Sequence, residues 1–241
     1  MPEVINQKNN KSRHTMEQNN NLHYETVTPI LVNSLLKLMG EDLFAPFRLV
    51  GGTNLSLRFG HRKSDDIDLF TDAEYGSLDF THFENYLKRY FPYYDCPDDS
   101  GIVGFGRSYY IGIDKENAVK LDLMYTDPFF DAPEIIDIIR FATVDQIAAM
   151  KIQAIATGGR KKDWWDIHFL LEQYSLGQLM SIHKKWQPYT HDEAQLLNLL
   201  TDFTEANKYP DPVCNRHLQW DSIKFDIVDA VENYITDKNQ Q

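Results

Sequence analysis

The sequence has little cysteine and no long hydrophobic run. Its two cysteines among 241 residues, Cys96 and Cys214, lie far apart. They exclude a disulfide-stapled scaffold and any zinc site built on closely spaced cysteine pairs. No run of 18 apolar residues occurs, so we expect no membrane span, and the first 21 residues lack the apolar core of a signal peptide. These absences predict a cytoplasmic protein with reduced thiols and no membrane partner.

Basic residues are also scarce, with 24 Lys and Arg against 36 Asp and Glu and a formal net charge of −12. This balance argues against a broadly basic nucleic-acid-binding surface, although it leaves room for a local basic patch. Hydrophobic residues make up 42% of the chain, which is typical of a globular protein. Any hypothesis that involves RNA therefore needs a local source of positive charge.

The chain divides into three segments by pattern. Residues 1–21 are rich in asparagine and poor in apolar residues, which predicts a disordered N-terminal lead-in. Residues 22–132 predict an α/β core, with helices over 28–40, 53–59 and 78–91 and strands over 47–50, 66–70, 101–107, 109–113 and 118–125. Residues 133–241 predict a helical domain, with helices over 143–156, 163–174, 176–186, 191–206 and 220–235.

The strongest chemical signal is a pair of aspartates on a predicted strand, Asp66-Ile67-Asp68-Leu69. Side chains alternate along a strand, so the two carboxylates share one face and the apolar side chains point into the core. Two such carboxylates repel each other unless a cation lies between them. Mg²⁺ prefers carboxylate and phosphate oxygens, so this face predicts a metal site.

A glycine pair precedes this strand. Gly51 and Gly52 lie where a predicted strand meets a predicted helix, and glycine there lets a phosphate approach the N–H groups of the helix N-terminus. The hydroxyls of Thr53 and Ser64 add hydrogen-bond donors. The region predicts a triphosphate site that faces the metal site.

A third aspartate, Asp122, lies on a later alternating strand, Lys120-Leu121-Asp122-Leu123. If this strand lies near the first, Asp122 reaches a second metal ion or accepts the proton of an attacking hydroxyl. A lone pair of aspartates is usually a solvated face, and a lone glycine pair is usually a turn. The three motifs together are far more specific than any one of them.

These motifs resemble the nucleotidyltransferase superfamily of DNA polymerase β type and, more narrowly, the AbiEii/AbiGii toxin family of type IV toxin–antitoxin and abortive-infection systems. The resemblance runs from about Leu49 to the C-terminus and rests on LVGGTNLSLRFGHRKSDDIDLF, VKLDLMY and ATVDQIAAMKIQAIATGGRKKDWWDIHFLLEQY. It implies an α+β fold, with a polymerase-β-like core of mixed sheet and flanking helices before a C-terminal helical bundle that completes the active-site cleft.

The resemblance also implies residue roles. The implied catalytic residues, of which the first three would be metal ligands, are Asp66, Asp68, Asp122, Lys151 and Asp163. The implied nucleotide-binding residues are Gly51, Gly52, Thr53, Ser64, Lys151, Arg160 and Asp166. Taken alone, Lys151 also fits a lysine at the edge of the core, and Asp163 also fits a helix N-cap.

Two further features concern positive charge. The family usually has an arginine where this chain has Gly158, and we expect Arg160, Lys161 or Lys162 to supply that charge. The run of residues 61–63, His-Arg-Lys, predicts a solvated basic loop that could meet a triphosphate or an RNA backbone.

The sequence thus predicts a Mg²⁺-dependent nucleotidyltransferase with a two-metal site, which moves a nucleoside monophosphate from an NTP to an acceptor hydroxyl. The resemblance implies an RNA acceptor such as a tRNA 3′ end, a role as a toxin and a cognate antitoxin partner. One alternative acceptor is a protein hydroxyl, which the acidic net charge favours. Another alternative is a non-catalytic nucleotide-binding regulatory module, which Gly158 favours.

Overall fold

The computed structural model describes residues 21–98, 100 and 103–240. Almost all of the predicted lead-in over 1–21 therefore lies outside the described residues. The helices are α1 (Pro29–Met39), α2 (Gly51–Phe59), α3 (Phe80–Tyr90), α4 (Val144–Ala156), α5 (Lys161–Leu171), α6 (Leu176–Trp186), α7 (Glu193–Thr201) and α8 (Trp220–Asn239). The strands are β1 (Arg48–Leu49), β2 (Asp66–Thr71), β3 (Tyr93–Asp95), β4 (Gly106–Gly112), β5 (Ala118–Tyr125), β6 (Glu134–Ile136) and β7 (Ile139–Phe141).

The strands form one mixed seven-stranded sheet in the order β3-β4-β5-β2-β1-β7-β6. The pairs β2–β5 and β1–β7 are parallel, and the other four pairs are antiparallel. The mixed sheet and the helices that follow it confirm the predicted α+β fold. β2 and β5 are neighbours near the middle of the sheet, so both predicted aspartate strands lie side by side.

Local sequence explains where several helices begin. The Thr28 hydroxyl accepts a hydrogen bond from the Leu31 N–H, and proline follows at the first helical position. The Thr143 hydroxyl accepts one from the Gln146 N–H at the start of α4. α2 begins at Gly51, two residues before the predicted start, so the glycine pair forms the first turn of the helix itself.

Two clusters of buried apolar side chains form the core of the fold. The first cluster packs α1 and α3 against the sheet and includes Ile67 and Leu69 of β2 and Leu121 of β5. The second cluster joins part of α2 to the C-terminal helices and includes Leu55 and Ile147. Because β2 and β5 bury alternate residues in the first cluster, their aspartates face the other way, toward the C-terminal half.

The structure corrects two boundaries and adds one strand. The helical half was expected to begin at residue 133, but β6 and β7 extend the sheet through parallel pairing of β7 with β1, so helices begin at Val144. The expected strand over 101–107 is wrong for residues 103–105, and β4 begins only at Gly106. β3, which has three residues, was not predicted. Such short strands owe their form to pairing with neighbours more than to local pattern. Across the described part of the chain, no helix combines the length and apolar character needed to cross a membrane.

Candidate active site

Three aspartates lie together on the polar face of the sheet. In the parallel register of β2 and β5, Asp68 lies directly opposite Asp122, and Asp66 lies opposite Lys120. Adjacent strands are about 4.8 Å apart, so carboxylates at paired positions are close neighbours. We call Asp66, Asp68 and Asp122 the carboxylate cluster. The structure places these three residues together, as the sequence motifs require.

Two lysines and a serine contact this cluster. Lys162 Nζ lies 2.9 Å from Asp66 Oδ2, and Lys120 Nζ lies 2.6 Å from Asp122 Oδ2. The Ser108 hydroxyl donates a 2.6 Å hydrogen bond to Asp122 Oδ1. The two outer carboxylates thus have positive partners, whereas Asp68 lies between them.

The electrostatics of Asp68 differ from those of Asp66. Burial, together with the charges of Asp122 and Asp66, raises the pKa of Asp68 to about 6. Burial also acts to raise the pKa of Asp66, but the adjacent Lys162 ammonium outweighs it and holds that pKa below its ordinary value. The crowding of like charges around Asp68 is the condition that a bound cation relieves.

The donor set of the carboxylate cluster fits a hard divalent cation, because carboxylate oxygens are the ligands that Mg²⁺ prefers. In the described segments, no three His, Cys, Asp or Glu side chains are arranged as a ready metal site. In the carboxylate cluster, lysine ammonium groups hold two of the three carboxylates, those of Asp66 and Asp122. The cluster has three acids for two lysines, so it retains a surplus of negative charge.

The first turn of α2 lies against this cluster. Gly51 has φ +69°, and a Cβ there would lie 2.1 Å from Asp68 Oδ2. No side chain caps the helix at Val50, so the N–H groups of its first turn are available to a ligand. These N–H groups and the positive end of the helix dipole favour an anion such as phosphate beside the carboxylates. This placement agrees with the predicted role of the glycine pair.

Thr53 and Ser64 have a different position from the one expected. Both are buried, and the Thr53 hydroxyl lies 2.8 Å from Ser64 Oγ and 2.5 Å from the Asp66 carbonyl oxygen. These contacts fasten α2 to the start of β2. The expectation that the two hydroxyls donate to phosphate is therefore corrected, because the structure directs them into the protein.

A second group of charged residues lies behind the glycine pair and is almost closed to solvent. Asp166 is fully buried and accepts hydrogen bonds from Arg62 Nε and Nη2, each at 2.7 Å. Lys151 Nζ lies 2.7 Å from Asp166 Oδ2 and 2.7 Å from Asp163 Oδ1. His61 Nε2 lies 2.8 Å from Asp166 Oδ1. We call these five residues the buried ion cluster.

The buried ion cluster is balanced in charge. Burial opposes ionisation of Asp166, but the charges of Arg62 and Lys151 hold its pKa well below the usual range. Burial likewise opposes ionisation of Lys151, and the two aspartates nonetheless raise its pKa. Burial lowers the pKa of His61, which keeps the imidazole neutral near pH 7. Two cations thus face two carboxylates.

This cluster changes the expected roles of several residues. The resemblance implied catalytic roles for Lys151 and Asp163 and nucleotide binding by Lys151 and Asp166. In the structure Lys151 contacts both aspartates, and Asp166 also contacts Arg62 of the loop before β2. Asp163 also accepts a 2.9 Å hydrogen bond from the Arg160 backbone N–H. It therefore helps to cap α5, but from the third helical position, because the N-cap is Arg160 and not Asp163 as the alternative interpretation had it. The expectation of a solvated loop over 61–63 is wrong for two of its residues, since His61 and Arg62 are buried.

The structure also shows which cation reaches the site in place of the family arginine. Gly158 has φ +94°, and a Cβ there would meet nothing within 4 Å. Lys162 contacts Asp66, while Lys161 pairs with Asp211 at 2.8 Å and Arg160 is exposed. Among the three candidates, Lys162 contacts the carboxylates directly, and the charge of Arg160 also acts to lower the pKa of Asp66.

Sequence reasoning missed the structural roles of three residues that organise the two clusters. It assigned no role to Lys120 or Ser108, and it placed Arg62 in a solvated basic loop. A usable signal existed for Lys120, because it lies two positions before Asp122 and alternation puts both on one face. No comparable local signal existed for Ser108, which reaches Asp122 only through the pairing of β4 with β5.

The fold and this site define a nucleotidyltransferase, and comparisons with known proteins agree. A putative nucleotidyltransferase from Helicobacter pylori has the same fold, with a TM-score of 0.54, 20% identity and coverage of 84% of this chain and 93% of that one. MenT4, a nucleotidyltransferase toxin from Mycobacterium tuberculosis H37Rv, gives a TM-score of 0.54 and 11% identity and covers 82% and 79% of the two chains. An uncharacterized protein of Aquifex aeolicus (strain VF5) is 32% identical over 159 residues, which are 63% of this chain and 71% of that relative.

Residues 35–235 match the family described as "Nucleotidyl transferase AbiEii toxin, Type IV TA system". The chain belongs to this family, which confirms the resemblance drawn from its motifs. Membership in a type IV toxin–antitoxin family implies a nucleotide substrate and an antitoxin partner.

Proposed function

We propose that this chain transfers a nucleoside monophosphate from an NTP to an acceptor hydroxyl, with release of pyrophosphate, in a Mg²⁺-dependent reaction. One observation carries the proposal: Asp68 lies opposite Asp122 in the sheet while the uncapped first turn of α2 lies against Asp68. A surplus of carboxylates beside an anion-binding helix end suits a metal-bound triphosphate.

Asp66, Asp68 and Asp122 would hold Mg²⁺. When bound, the metal would neutralise phosphate charge and lower the pKa of the acceptor hydroxyl. The N–H groups of the first turn of α2 bind the phosphates, and Lys162 adds positive charge beside Asp66. Catalysis by these groups is mainly positioning and electrostatic stabilisation.

Asp122 accepts the proton of the acceptor hydroxyl. The Ser108 hydroxyl and the Lys120 ammonium hold its two oxygens, which fixes the direction in which the carboxylate points. Substitution of Ser108 would therefore act through the orientation of Asp122.

For the acceptor, we propose RNA, such as the 3′ end of a tRNA. The toxin family supports this choice, and Lys63, Arg160 and Lys162 give the acidic chain a local group of positive charge near the carboxylates. A protein hydroxyl is the second candidate, which the net charge of −12 favours.

The test is an incubation of the purified protein with Mg²⁺ and each labelled NTP, with total tRNA in one series and total cell protein in another. We expect label on tRNA, loss of transfer with EDTA, and loss of transfer in the Asp66→Ala/Asp68→Ala double variant. The matched control removes two exposed aspartates of α8 in Asp221→Ala/Asp237→Ala and should transfer normally. Label on protein alone identifies the second candidate, and no transfer of any nucleotide contradicts the proposal.

A further inference from the structure

A cavity of about 300 Å³ opens beside the carboxylate cluster. One wall is the segment just before β2, another is the start of α5, and the third is the loop that follows the short helix over 206–208. Its volume is at the lower end of the range for small-molecule sites in proteins. Lys63, Arg160 and Lys162 on its wall carry the positive charge proposed above for RNA, but no ligand has yet been assigned to the cavity itself.

The loop wall of the cavity is fixed by the rest of the fold. The Lys63 N–H donates a 2.8 Å hydrogen bond to the Val213 carbonyl oxygen, and Arg62 forms a β-bridge with Cys214. Lys161 Nζ lies 2.8 Å from Asp211 Oδ1 and joins the loop to α5. These contacts hold the cavity in shape before any ligand arrives, which reduces the entropy cost of binding.

The lining combines two kinds of surface. Lys63, Arg160 and Lys162 supply positive charge beside the carboxylates of Asp65 and Asp211, of which Asp211 is paired with Lys161. Tyr209 and prolines of the same loop supply a flat and rigid apolar surface. Tyr209 is 41% exposed, so a ligand can reach its ring. A ligand that suits both surfaces is anionic at one end and planar at the other, as a nucleotide is.

One residue of the cavity wall also contacts the carboxylate cluster. Lys162 lines the cavity, and its ammonium group lies 2.9 Å from Asp66. Ser64 and Asp65, the two residues just before the start of β2, line the cavity as well. A nucleotide with its base in the cavity would therefore have its phosphates beside the carboxylates. Asp122 lies on the neighbouring strand β5, so the acceptor would approach the cluster from that side.

We propose that this cavity binds the base and ribose of the NTP, with the base stacked on Tyr209 and the phosphates directed toward Arg160 and Lys162. The assignment rests on the proposed function and adds to it the place where the nucleoside is recognised. The loop over 209–213 thus becomes a determinant of which NTP the enzyme uses.

The test compares binding of α,β-methylene NTPs and of inorganic triphosphate by calorimetry in Mg²⁺. In Tyr209→Ala, we expect affinity for the NTP analogues to fall about 10-fold or more, as for loss of a base–aromatic stack. Affinity for inorganic triphosphate should stay within about twofold, because triphosphate has no base to stack. Tyr209→Phe should restore the affinity for the analogues, and Tyr189→Ala, at a tyrosine that is 98% exposed, is the matched control.

Each outcome decides a separate question. If Tyr209→Ala binds the analogues as tightly as the wild type while transfer persists, the cavity does not hold the nucleoside. If Tyr209→Ala instead raises the KM for the acceptor and leaves that for the NTP unchanged, the acceptor occupies the cavity and the assignment is overturned. If the wild type binds no analogue and transfers no nucleotide, the proposed function itself fails. Thermal unfolding of each variant identifies a loss of affinity caused by misfolding, in which case Tyr209→Leu replaces Tyr209→Ala.

Discussion

The carboxylate cluster and the buried ion cluster use the same kinds of side chain, but they differ in charge balance and in exposure. The buried ion cluster has two cations for two carboxylates, and every charge has a partner inside the protein. The carboxylate cluster has three acids for two lysines, and burial with like charges raises the pKa of Asp68 to about 6. A balanced cluster needs no ligand, whereas a cluster with surplus acid is relieved when a cation binds.

The glycine pair separates the two clusters. A Cβ on Gly51 would lie 2.1 Å from Asp68 Oδ2, whereas a Cβ on Gly52 would lie 2.1 Å from Arg62 Nη2. Two successive residues thus approach opposite clusters. One motif thus packs against both the carboxylate cluster and the buried ion cluster.

The largest expected loss of stability comes from a substitution in the buried ion cluster. Asp166→Asn would leave Arg62 and Lys151 with too little negative charge in a site closed to solvent. We expect the free energy of unfolding to fall by about 3 to 5 kcal/mol, as when one partner of a buried ion pair is removed. Urea denaturation followed by circular dichroism measures this change.

The matched substitution in the carboxylate cluster is Asp66→Asn. The side chains of Asp66 and Lys162 are 23% and 27% exposed, so their pairing should contribute no more than about 1 kcal/mol. Losses of equal size in Asp166→Asn and Asp66→Asn would contradict the distinction between the two clusters.

The next prediction distinguishes the two glycines by their effects on stability and on nucleotide transfer. In Gly52→Ala, the new methyl group meets an arginine held on both sides of its guanidinium, so we expect a loss of stability of about 1 to 3 kcal/mol. In Gly51→Ala, the methyl group meets Asp68, and we expect nucleotide transfer to fall by a larger factor than in Gly52→Ala. Gly158→Ala is the control for backbone strain alone, because its φ is also positive but its surroundings are open. Thermal unfolding and labelled-NTP transfer, measured on all three variants, test the assignment, which fails if Gly51→Ala and Gly158→Ala behave alike.

For Asp68→Asn we expect a smaller change in the free energy of unfolding, and of opposite sign, since this variant should be more stable than the wild type. The pKa of Asp68 is about 6 in the folded protein and ordinary in the unfolded chain, so the folded state binds the proton more tightly. The contribution of Asp68 to stability therefore falls as pH rises through this window and is fully unfavourable above pH 6. Asp68→Asn should be more stable than the wild type by about 1 to 3 kcal/mol at pH 7.5 while losing transfer activity. At pH 4 the gain should largely vanish, and denaturation at both pH values checks it; an equal gain at both would contradict the raised pKa.

Much of the carboxylate cluster could be predicted from the sequence because its signals are local. Alternation placed Asp66 and Asp68 on one face of β2, and the same pattern placed Asp122 on one face of β5. The Thr143 cap was visible for a similar reason, since a helix N-terminus depends on residues within one turn. The assumption that these strands are neighbours came from the resemblance.

The buried ion cluster could not be predicted, because its residues come from three distant parts of the chain. The sequence shows Lys151 as a charge within a predicted apolar helix, and its partners Asp163 and Asp166 three positions apart on the next predicted helix. Nothing local shows whether such charges face a ligand or each other. The decisive residue is Arg62, whose place against Asp166 depends on how the loop before β2 packs on α5.

The last and smallest expected effect concerns the lysine that joins the carboxylate cluster to the cavity. Lys162→Met should lower transfer by about tenfold, which corresponds to about 1.4 kcal/mol, because a positive charge beside the phosphates is lost. The pKa of Asp66 should also rise without this lysine, which would move the acidic limb of the pH–rate profile to higher pH. Lys224→Met is the control, since Lys224 is exposed to a similar degree as Lys162 and forms an ion pair of similar length with Asp221 on α8. A uniform loss of activity at all pH values in Lys162→Met would mean that the lysine acts on the nucleotide alone, and the contact with Asp66 would then have no part in the reaction.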